Sequence, residues 1–331
     1  MKLVLFNLRS DEAPTLEDWK AAHPEVEIDA YKEELSLDNI HLAQGADAVS
    51  LSTVSKVEDA IYEKLHAMGI DIISQRSAGF DMYNLDKLNE LGMKLLRVPK
   101  YSPNAIGEYV VASALYLSRN LNKIYKRVED HDFSWELPIL SKEMRTLTVG
   151  VIGTGNIGRA AAKLFKGLGA QIIGYDVFKS EEAEALLDYV SLDELYERSD
   201  IITLHIPAFD DNYHMINEET IGKMKDGVIL INAARGTIVD TKAVLKGLDE
   251  GKIKGAVLDV YENEFDYVKK DLKGQDLGDE VLDEMIKRDD IIYTPHIAFY
   301  TETALENLVH IPLNESIKVI ETGESDTIVN K

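Results

Sequence analysis

A chain of 331 residues with 45% hydrophobic and 29% charged residues has the balance of an ordinary globular protein, long enough for two domains that each bury a core. Its 59 acidic against 36 basic residues leave a net charge of −23, which repels phosphate backbones and anionic lipid, so neither nucleic acid nor a membrane is expected as a partner. The absence of cysteine excludes disulfides, thiolate metal sites and a cysteine nucleophile, and fits a reducing cytoplasm.

The first apolar run, Lys2–Asn7, is followed at once by Arg9, Asp11 and Glu12, the pattern of a buried strand and not of an export signal. Ala48–Ser52, Asp71–Gln75 and Lys94–Val98 read as further buried strands, separated by amphipathic stretches such as Glu58–Met68 and Leu85–Leu91. Ser102-Pro103-Asn104 then starts a helix, with Ile106, Tyr109, Val110, Ser113, Ala114 and Leu117 at helical spacing up to Asn120. Its apolar face suits burial against its own domain or against a second subunit equally well. The longest largely apolar run, Tyr109–Leu117, is nine residues, against the roughly 18 that a membrane span needs.

Beyond this helix six more strands are expected, at Thr148–Ile152, Gln171–Tyr175, Asp200–His205, Gly227–Asn232, Lys254–Asp259 and Asp290–Thr294. Strands that alternate with helical connections build a doubly wound parallel sheet. The acidic stretch Glu262–Asp283 reads as a solvated loop with some helix. Glu302–Ile320, a helical pattern interrupted by Pro312, has no strand series left to join and is expected to return to the first domain.

The second series opens on a phosphate-binding signature. Strand Thr148–Ile152 runs into Gly153-Thr154-Gly155-Asn156-Ile157-Gly158 and then an amphipathic helix. Gly153 permits the tight turn, Gly155 lets a pyrophosphate approach the backbone, and Gly158 lets helix and strand pack closely, with free amides at the helix start to hold the phosphates. The next strand ends in Asp176, 23 residues after Gly153, where a carboxylate bonds a ribose 2′-hydroxyl. No arginine follows it, so NAD is expected over NADP. Arg159-Ala160 after the last glycine is not a P-loop ending, which argues against an ATPase or kinase.

Chemistry in such a sheet sits at the carboxyl ends of the strands. Three ends carry polar groups: Ala233-Ala234-Arg235-Gly236, Val260-Tyr261-Glu262-Asn263-Glu264 and Pro295-His296. Taken singly, Arg235 is a salt-bridge former, Glu264 part of an acidic loop and His296 a surface histidine. Together beside a nicotinamide they are what a 2-oxo-acid reductase needs, a guanidinium fork for a carboxylate and an acid with a tuned proton supply. His205 and His214 flank Asp210 and Asp211, but the spacing fits no zinc pattern and no metal is expected.

With G-T-G-N-I-G-R at 153–159, N-A-A-R-G at 232–236, D-V-Y-E-N-E at 259–264 and T-P-H-I-A at 294–298, the chain resembles the D-isomer-specific 2-hydroxyacid dehydrogenases, within them the D-lactate and D-2-hydroxyisocaproate branch. Arg76-Ser77-Ala78-Gly79-Phe80-Asp81 and Val98-Pro99-Lys100-Tyr101-Ser102-Pro103-Asn104-Ala105 match the family's substrate-domain loops, and the resemblance spans essentially the whole chain. It implies two Rossmann-like α/β domains with parallel sheets: a discontinuous, flavodoxin-like substrate domain at 1–101 and 300–331, and an NAD-binding domain inserted at 102–299. It also implies a homodimer, with the helix from Ser102 as a contact.

The resemblance assigns a role to each matching position. His296 would protonate the substrate carbonyl, with Glu264 pairing the imidazolium; Glu262 is the competing carboxylate, though the family register favours Glu264. Arg235 and the backbone amides of Ala78 and Gly79 would hold the substrate carboxylate. Tyr101 would contact the substrate, and Leu51, Phe299 and Tyr300 are expected at its side chain. Asp259 would orient the cluster and the nicotinamide end, and Ile206-Pro207, Asn212 and Ala233-Ala234 would line the cofactor. The implied reaction reduces a small 2-oxo acid, pyruvate first, to a D-2-hydroxy acid. Lactate-preferring relatives carry an aromatic residue near Leu51-Ser52, and its absence here keeps larger aliphatic or aromatic 2-oxo acids open. A reading of another class, an NAD-sensing binding module without turnover, also stays open.

Overall fold

A computed structural model describes residues 1–53 and 55–330. In chain order the elements are β1 (Lys2–Leu5), α1 (Ala13–Ala22), β2 (Glu27–Ala30), β3 (Ala48–Leu51), α2 (Asp59–Ala67), β4 (Ile72–Gln75), α3 (Leu85–Leu91) and β5 (Lys94–Leu96). Then come α4 (Pro103–Ser118), α5 (Leu121–Glu129), β6 (Thr148–Ile152), α6 (Asn156–Gly167), β7 (Gln171–Tyr175), α7 (Glu181–Glu184), β8 (Asp188–Tyr189), α8 (Leu192–Arg198), β9 (Ile201–Leu204), α9 (Glu218–Lys223) and β10 (Val228–Asn232). The chain closes with α10 (Thr241–Asp249), β11 (Ile253–Leu258), α11 (Glu280–Lys287), β12 (Ile291–Tyr293) and α12 (Glu302–Thr322). They form two compact units, Met1–Ser102 with Tyr300–Lys331, and Pro103–Phe299.

The first unit is a five-stranded parallel sheet in the order β2-β1-β3-β4-β5, the flavodoxin-like arrangement. Alternation along β1 shows why its sequence is apolar throughout. Val4 enters a core with Phe6, Val49, Tyr62, Leu65 and Ile73, while Leu3 and Leu5 pack on the other face against Leu16, Trp19, Val309 and Leu313. The second core is closed by α12, which runs through Pro312, and the Trp19 indole donates to Asn314 at 2.8 Å. The sequence reading omitted α1 and β2. The latter, Glu-Ile-Asp-Ala, lies at the sheet edge and carries carboxylates that Lys2 pairs with at 3.0 and 2.7 Å, so it has no apolar run to betray it.

The second unit is a seven-stranded parallel sheet in the order β12-β11-β10-β9-β6-β7-β8. The chain reverses direction across the sheet between β6 and β9, and that switch point is where doubly wound sheets bind ligands. Four of its strands, β6, β9, β10 and β11, are buried at every position or all but one and are rich in Val, Ile and Leu; β8, only two residues long, and α5 escaped the periodicity argument. Helix α4 lies on α6 at Gly107, where a Cβ would come within 3.2 Å of the Ala161 nitrogen. Among the described residues no helix is long and apolar enough to cross a membrane.

Candidate active site

The turn after β6 has three glycines in three different situations. Gly153 has φ +90°, and a Cβ there would meet the His205 carbonyl oxygen at 2.4 Å; at Gly158 it would meet the Gly153 oxygen at 1.9 Å. These two are required by packing. At Gly155 nothing lies within 4 Å of the Cβ position, so the backbone is open just before α6, whose N-terminus no side chain caps. An open backbone at an uncapped helix start is the cradle a pyrophosphate requires, and the residues fit the expected dinucleotide. Arg159 donates to the Thr154 carbonyl at 2.9 Å and to the Asn156 side chain at 3.1 Å, bracing the turn beside the half-buried Ile157.

Asp176 does more than end β7. Its carboxylate accepts from the Thr154 amide at 2.6 Å and the Thr154 hydroxyl at 3.1 Å, and from the Phe178 amide at 3.0 Å. The Thr154 hydroxyl also reaches Tyr189 at 2.7 Å. Thr154 and Tyr189 were passed over in the sequence; Thr154 is an unspecified position of the motif, and Tyr189 lies on the short strand β8.

The catalytic candidates sit beyond three neighbouring strand ends. Asn232, Leu258 and Tyr293 are register partners on β10, β11 and β12, so the segments carrying Arg235, Glu264 and His296 leave the same edge of the sheet. Asn232 folds the first of them, donating to the Arg235 carbonyl at 2.9 Å and accepting from the Ala234 amide at 3.0 Å across Ala233. Arg235 donates to its neighbour Ala234's carbonyl at 2.8 Å.

His296 stands in the left-handed region at φ +58°, an uncommon conformation for a non-glycine residue that the surroundings must hold. Asp259 does so. Its carboxylate, almost fully buried, accepts from the Thr294 hydroxyl at 2.6 Å and the amides of Ile297 and Ala298 at 2.8 and 2.9 Å, while its own carbonyl accepts from the His296 amide at 2.7 Å. Burial pushes the Asp259 carboxyl up from its ordinary value, against these hydrogen bonds. The Tyr109 hydroxyl stands 2.5 Å from Thr294 Oγ1 and extends the chain to α4.

The two glutamates after β11 separate cleanly. Glu264 is buried, its Oε1 lies 2.8 Å from His296 Nδ1, and its Oε2 accepts from the Tyr261 amide at 3.2 Å. Glu262 instead meets His214 Nε2 at 2.7 Å and accepts from the Thr241 amide, at the start of α10, at 3.0 Å. Glu264 therefore does not belong to a solvated loop, as composition suggested; a short 3-10 turn over Glu264–Asp266 tucks it under the strand ends.

His205 follows β9. Its Nε2 lies 3.0 Å from the Thr203 hydroxyl, and its Nδ1 is buried without a partner among the described residues. Burial lowers its pKa to about 4, so it is neutral at ordinary pH. The segment Ile206-Pro207 follows, and Asn212 closes that loop by donating to the Pro207 carbonyl and accepting from the Phe209 amide, each at 2.8 Å. Among the described residues no group of three or more potential ligands could hold a metal ion.

In the first unit Ala78 and Gly79 lie in the loop after β4, and the Tyr101 carbonyl accepts from Asn307 at 2.6 Å. Leu51, at the end of β3, is 3% exposed; it belongs to the core and borders a pocket of about 400 Å³ with Phe6, Asn7, Leu35, Thr53 and Val57. Phe299 is half-buried at the end of the second unit, and the Tyr300 hydroxyl bonds Asp11 in the first.

Residues 111–298 match the family model of the D-isomer specific 2-hydroxyacid dehydrogenase NAD binding domain, more than half of the chain. A D-lactate dehydrogenase of Treponema pallidum is 48% identical over 320 residues, covering 97% of each chain. The crystal structure of a D-lactate dehydrogenase from the same organism superposes with a TM-score of 0.92 at 47% identity over all of both chains. The structure of a D-2-hydroxyisocaproate dehydrogenase gives the same TM-score at 35% identity, again over both whole chains. The chain belongs to the D-isomer-specific 2-hydroxyacid dehydrogenases. It is an NAD-dependent oxidoreductase acting on the CH–OH group of D-2-hydroxy acids.

Proposed function

We propose that this enzyme is a D-lactate dehydrogenase, interconverting pyruvate and D-lactate, and that His296, Glu264 and Arg235 carry the chemistry. The observation that carries the assignment of roles is the His296–Glu264 pair at 2.8 Å, on the same sheet edge as Arg235 in the dinucleotide-binding unit. NAD, when bound, supplies or accepts the hydride at the substrate carbon. Arg235 would fork onto the substrate carboxylate and polarise the neighbouring carbonyl; in the first unit, the amides of Ala78 and Gly79 are the proposed donors to a carboxylate. His296, held through Nδ1 by Glu264, presents Nε2 to the carbonyl oxygen and donates the proton that completes the hydroxyl; in oxidation it takes that proton back. Glu264 balances the imidazolium charge, and Asp259 keeps His296 in its left-handed pose.

Gly153, Gly155, Asn156, Ile157 and Gly158 would hold the pyrophosphate and Asp176 the ribose, with Ile206, Pro207, Asn212, Ala233, Ala234 and Asp259 along the rest of the cofactor. Tyr101 and Phe299 would meet the substrate, and Leu51, packed in the core, would do so only through the pocket it borders. We assign residues 1–101 and 300–331 to substrate binding and 102–299 to NAD binding.

Similarity to named D-lactate dehydrogenases favours pyruvate, and a larger 2-oxo acid is the alternative, since Leu51-Ser52 carries no aromatic side chain where the family resemblance leads one to expect it nearby in lactate-preferring members. One assay separates them: NADH oxidation with pyruvate, 2-oxoisocaproate, phenylpyruvate and 2-oxoglutarate side by side, with chiral analysis of the product. Fast turnover of pyruvate to the D-acid supports the proposal. A preference for 2-oxoisocaproate assigns the larger substrate, and NADH binding with no turnover on any of them makes the chain a binding module.

The enzyme acts in the cytoplasm as a homodimer in this proposal. Support for a dimer comes from an exposed apolar stretch beyond α5, with Phe133 71%, Trp135 96%, Leu137 82% and Leu140 73% accessible. Light scattering behind a sizing column reads the mass, and Trp135→Asp should shift it toward the monomer.

A further inference from the structure

The loop after β4 divides its backbone groups unevenly. All three carbonyls of Ser77, Ala78 and Gly79 are occupied from within the protein, by the Val98 amide at 2.9 Å, by Arg97 Nη1 at 3.3 Å and by the Ser77 hydroxyl at 2.7 Å. The amides of Ala78 and Gly79 donate to no protein acceptor among the described residues. Satisfied carbonyls beside free amides leave a loop that is a net donor, suited to an anion.

Two buried side chains sit behind this arrangement. Arg76 fixes the base of the loop: its guanidinium donates to the carbonyls of Phe6, Asn7 and Ser50 at 3.0, 2.9 and 3.0 Å and pairs with the buried Glu12 at 3.4 Å. Gln75, 1% exposed, governs the far end. Its Nε2 donates to the Thr53 carbonyl at 2.9 Å and to the Ser77 hydroxyl oxygen at 3.0 Å, and its Oε1 accepts from the Tyr83 hydroxyl at 2.7 Å. Because Ser77 Oγ accepts from Gln75, its own proton is directed to the Gly79 carbonyl. Only an amide supplies two donors and an acceptor in this way; a carboxylate or an apolar chain of equal size breaks the relay and leaves buried groups unpaired.

We propose that Gln75 and Ser77 are positioning residues for the substrate carboxylate: the relay Tyr83–Gln75–Ser77–Gly79 sets the Ala78 and Gly79 amides and, through the Thr53 carbonyl, ties the loop after β3 to them. This rests on the reading above that those amides receive the carboxylate. Neither side chain touches the reacting atoms, so their loss weakens oxo-acid binding and leaves cofactor binding intact.

The test is steady-state kinetics of the full-length enzyme with pyruvate and NADH, with NADH titration by fluorescence and thermal melting alongside. Ser77→Ala, which removes a half-exposed hydroxyl and keeps the backbone, should raise KM for pyruvate about tenfold, the effect of one charge-assisted bond, with kcat and the NADH Kd within about twofold of the parent. Ser77→Thr restores the hydroxyl and should restore KM. Gln75→Met should act like Ser77→Ala. Parent-like KM in Ser77→Ala overturns the proposal, and so does a parallel loss of melting temperature, kcat and NADH affinity, which marks a residue that merely supports the fold. Ala78→Pro deletes one amide donor directly. Unchanged KM there refutes the carboxylate reading itself, whereas raised KM there with parent-like Ser77→Ala refutes the relay alone.

Discussion

Glu262 and Glu264, two residues apart on one turn, offer a sharp test of the proposed machinery. Replacing Glu264 by Gln keeps the side chain's shape and an oxygen that still accepts from His296 Nδ1, 2.8 Å from Glu264 Oε1, but removes the charge and turns an NH2 toward the Tyr261 amide that Oε2 accepts from at 3.2 Å. A charge-assisted hydrogen bond is worth about 1.5–3 kcal/mol and a neutral one about 1, so the protonated imidazole loses roughly 0.5–2 kcal/mol of support. If that support is used in the rate-limiting proton transfer, kcat falls about tenfold, at about 1.4 kcal/mol per decade. Glu262→Gln is the matched control. Its partner is the partly exposed His214, and the Gln oxygen can keep the bond to the Thr241 amide, so kcat should stay within about twofold and stability within about 1 kcal/mol. The assay is NADH oxidation at saturating NADH and oxo acid, with urea unfolding to exclude general damage. Equal losses in the two variants, or a larger loss in Glu262→Gln, would refute the assignment of Glu264 as the partner that matters.

Four further outcomes are expected. His296→Gln should lower kcat on the order of a hundredfold or more with NADH affinity retained, as removal of a general acid does, and near-normal turnover would remove His296 from the mechanism. Arg235→Lys loses the bidentate fork, so KM for the oxo acid should rise on the order of tenfold or more; an unchanged KM would make Arg235 structural. Asp176→Ser should erode the preference for NADH over NADPH and, because Asp176 also holds Thr154, raise the NADH Kd about tenfold; paired fluorescence titrations with the two cofactors read both effects. Burial keeps His205 neutral down to about pH 4 when folded, whereas unfolded it protonates near its ordinary 6.5. Its contribution to stability is therefore complete above that value and is lost as pH falls from 6.5 toward 4, and His205→Gln should flatten the fall in urea midpoint across that window.

Much of this was legible in the amino-acid order because parallel strands buried on both faces are near-continuous apolar runs. The strands around Val4, Val49, Ile73, Val151, Ile202 and Val257 announce themselves in that way, and Gly153, Gly155 and Gly158 announce the turn between β6 and α6. What such runs cannot reveal is a polar edge strand. β5 and β12 are edges as well, but Lys-Leu-Leu and Ile-Ile-Tyr still read as apolar; β2, Glu-Ile-Asp-Ala, and the two-residue β8 do not, so neither periodicity nor composition marks them, and the order of strands in each sheet follows from long crossovers that no local pattern records.

The same division holds in the site. The sequence by itself determined which groups were available: the glycine turn, the acidic residue at 176, and an Arg, a carboxylate and a His following successive strands. It left Glu262 and Glu264 as rivals, because both stand in one turn at plausible spacing. Tertiary structure decided between them, placing His214 against one and His296 against the other, and it turned Asp259 into the clamp that holds His296 at positive φ. It also created the Tyr83–Gln75–Ser77 relay. The physical reason is that hydrogen-bond partners are selected by differences of a few tenths of an ångström between groups 32 to 48 residues apart, or joined by a single turn, and those distances exist only once each unit has packed its own sheet.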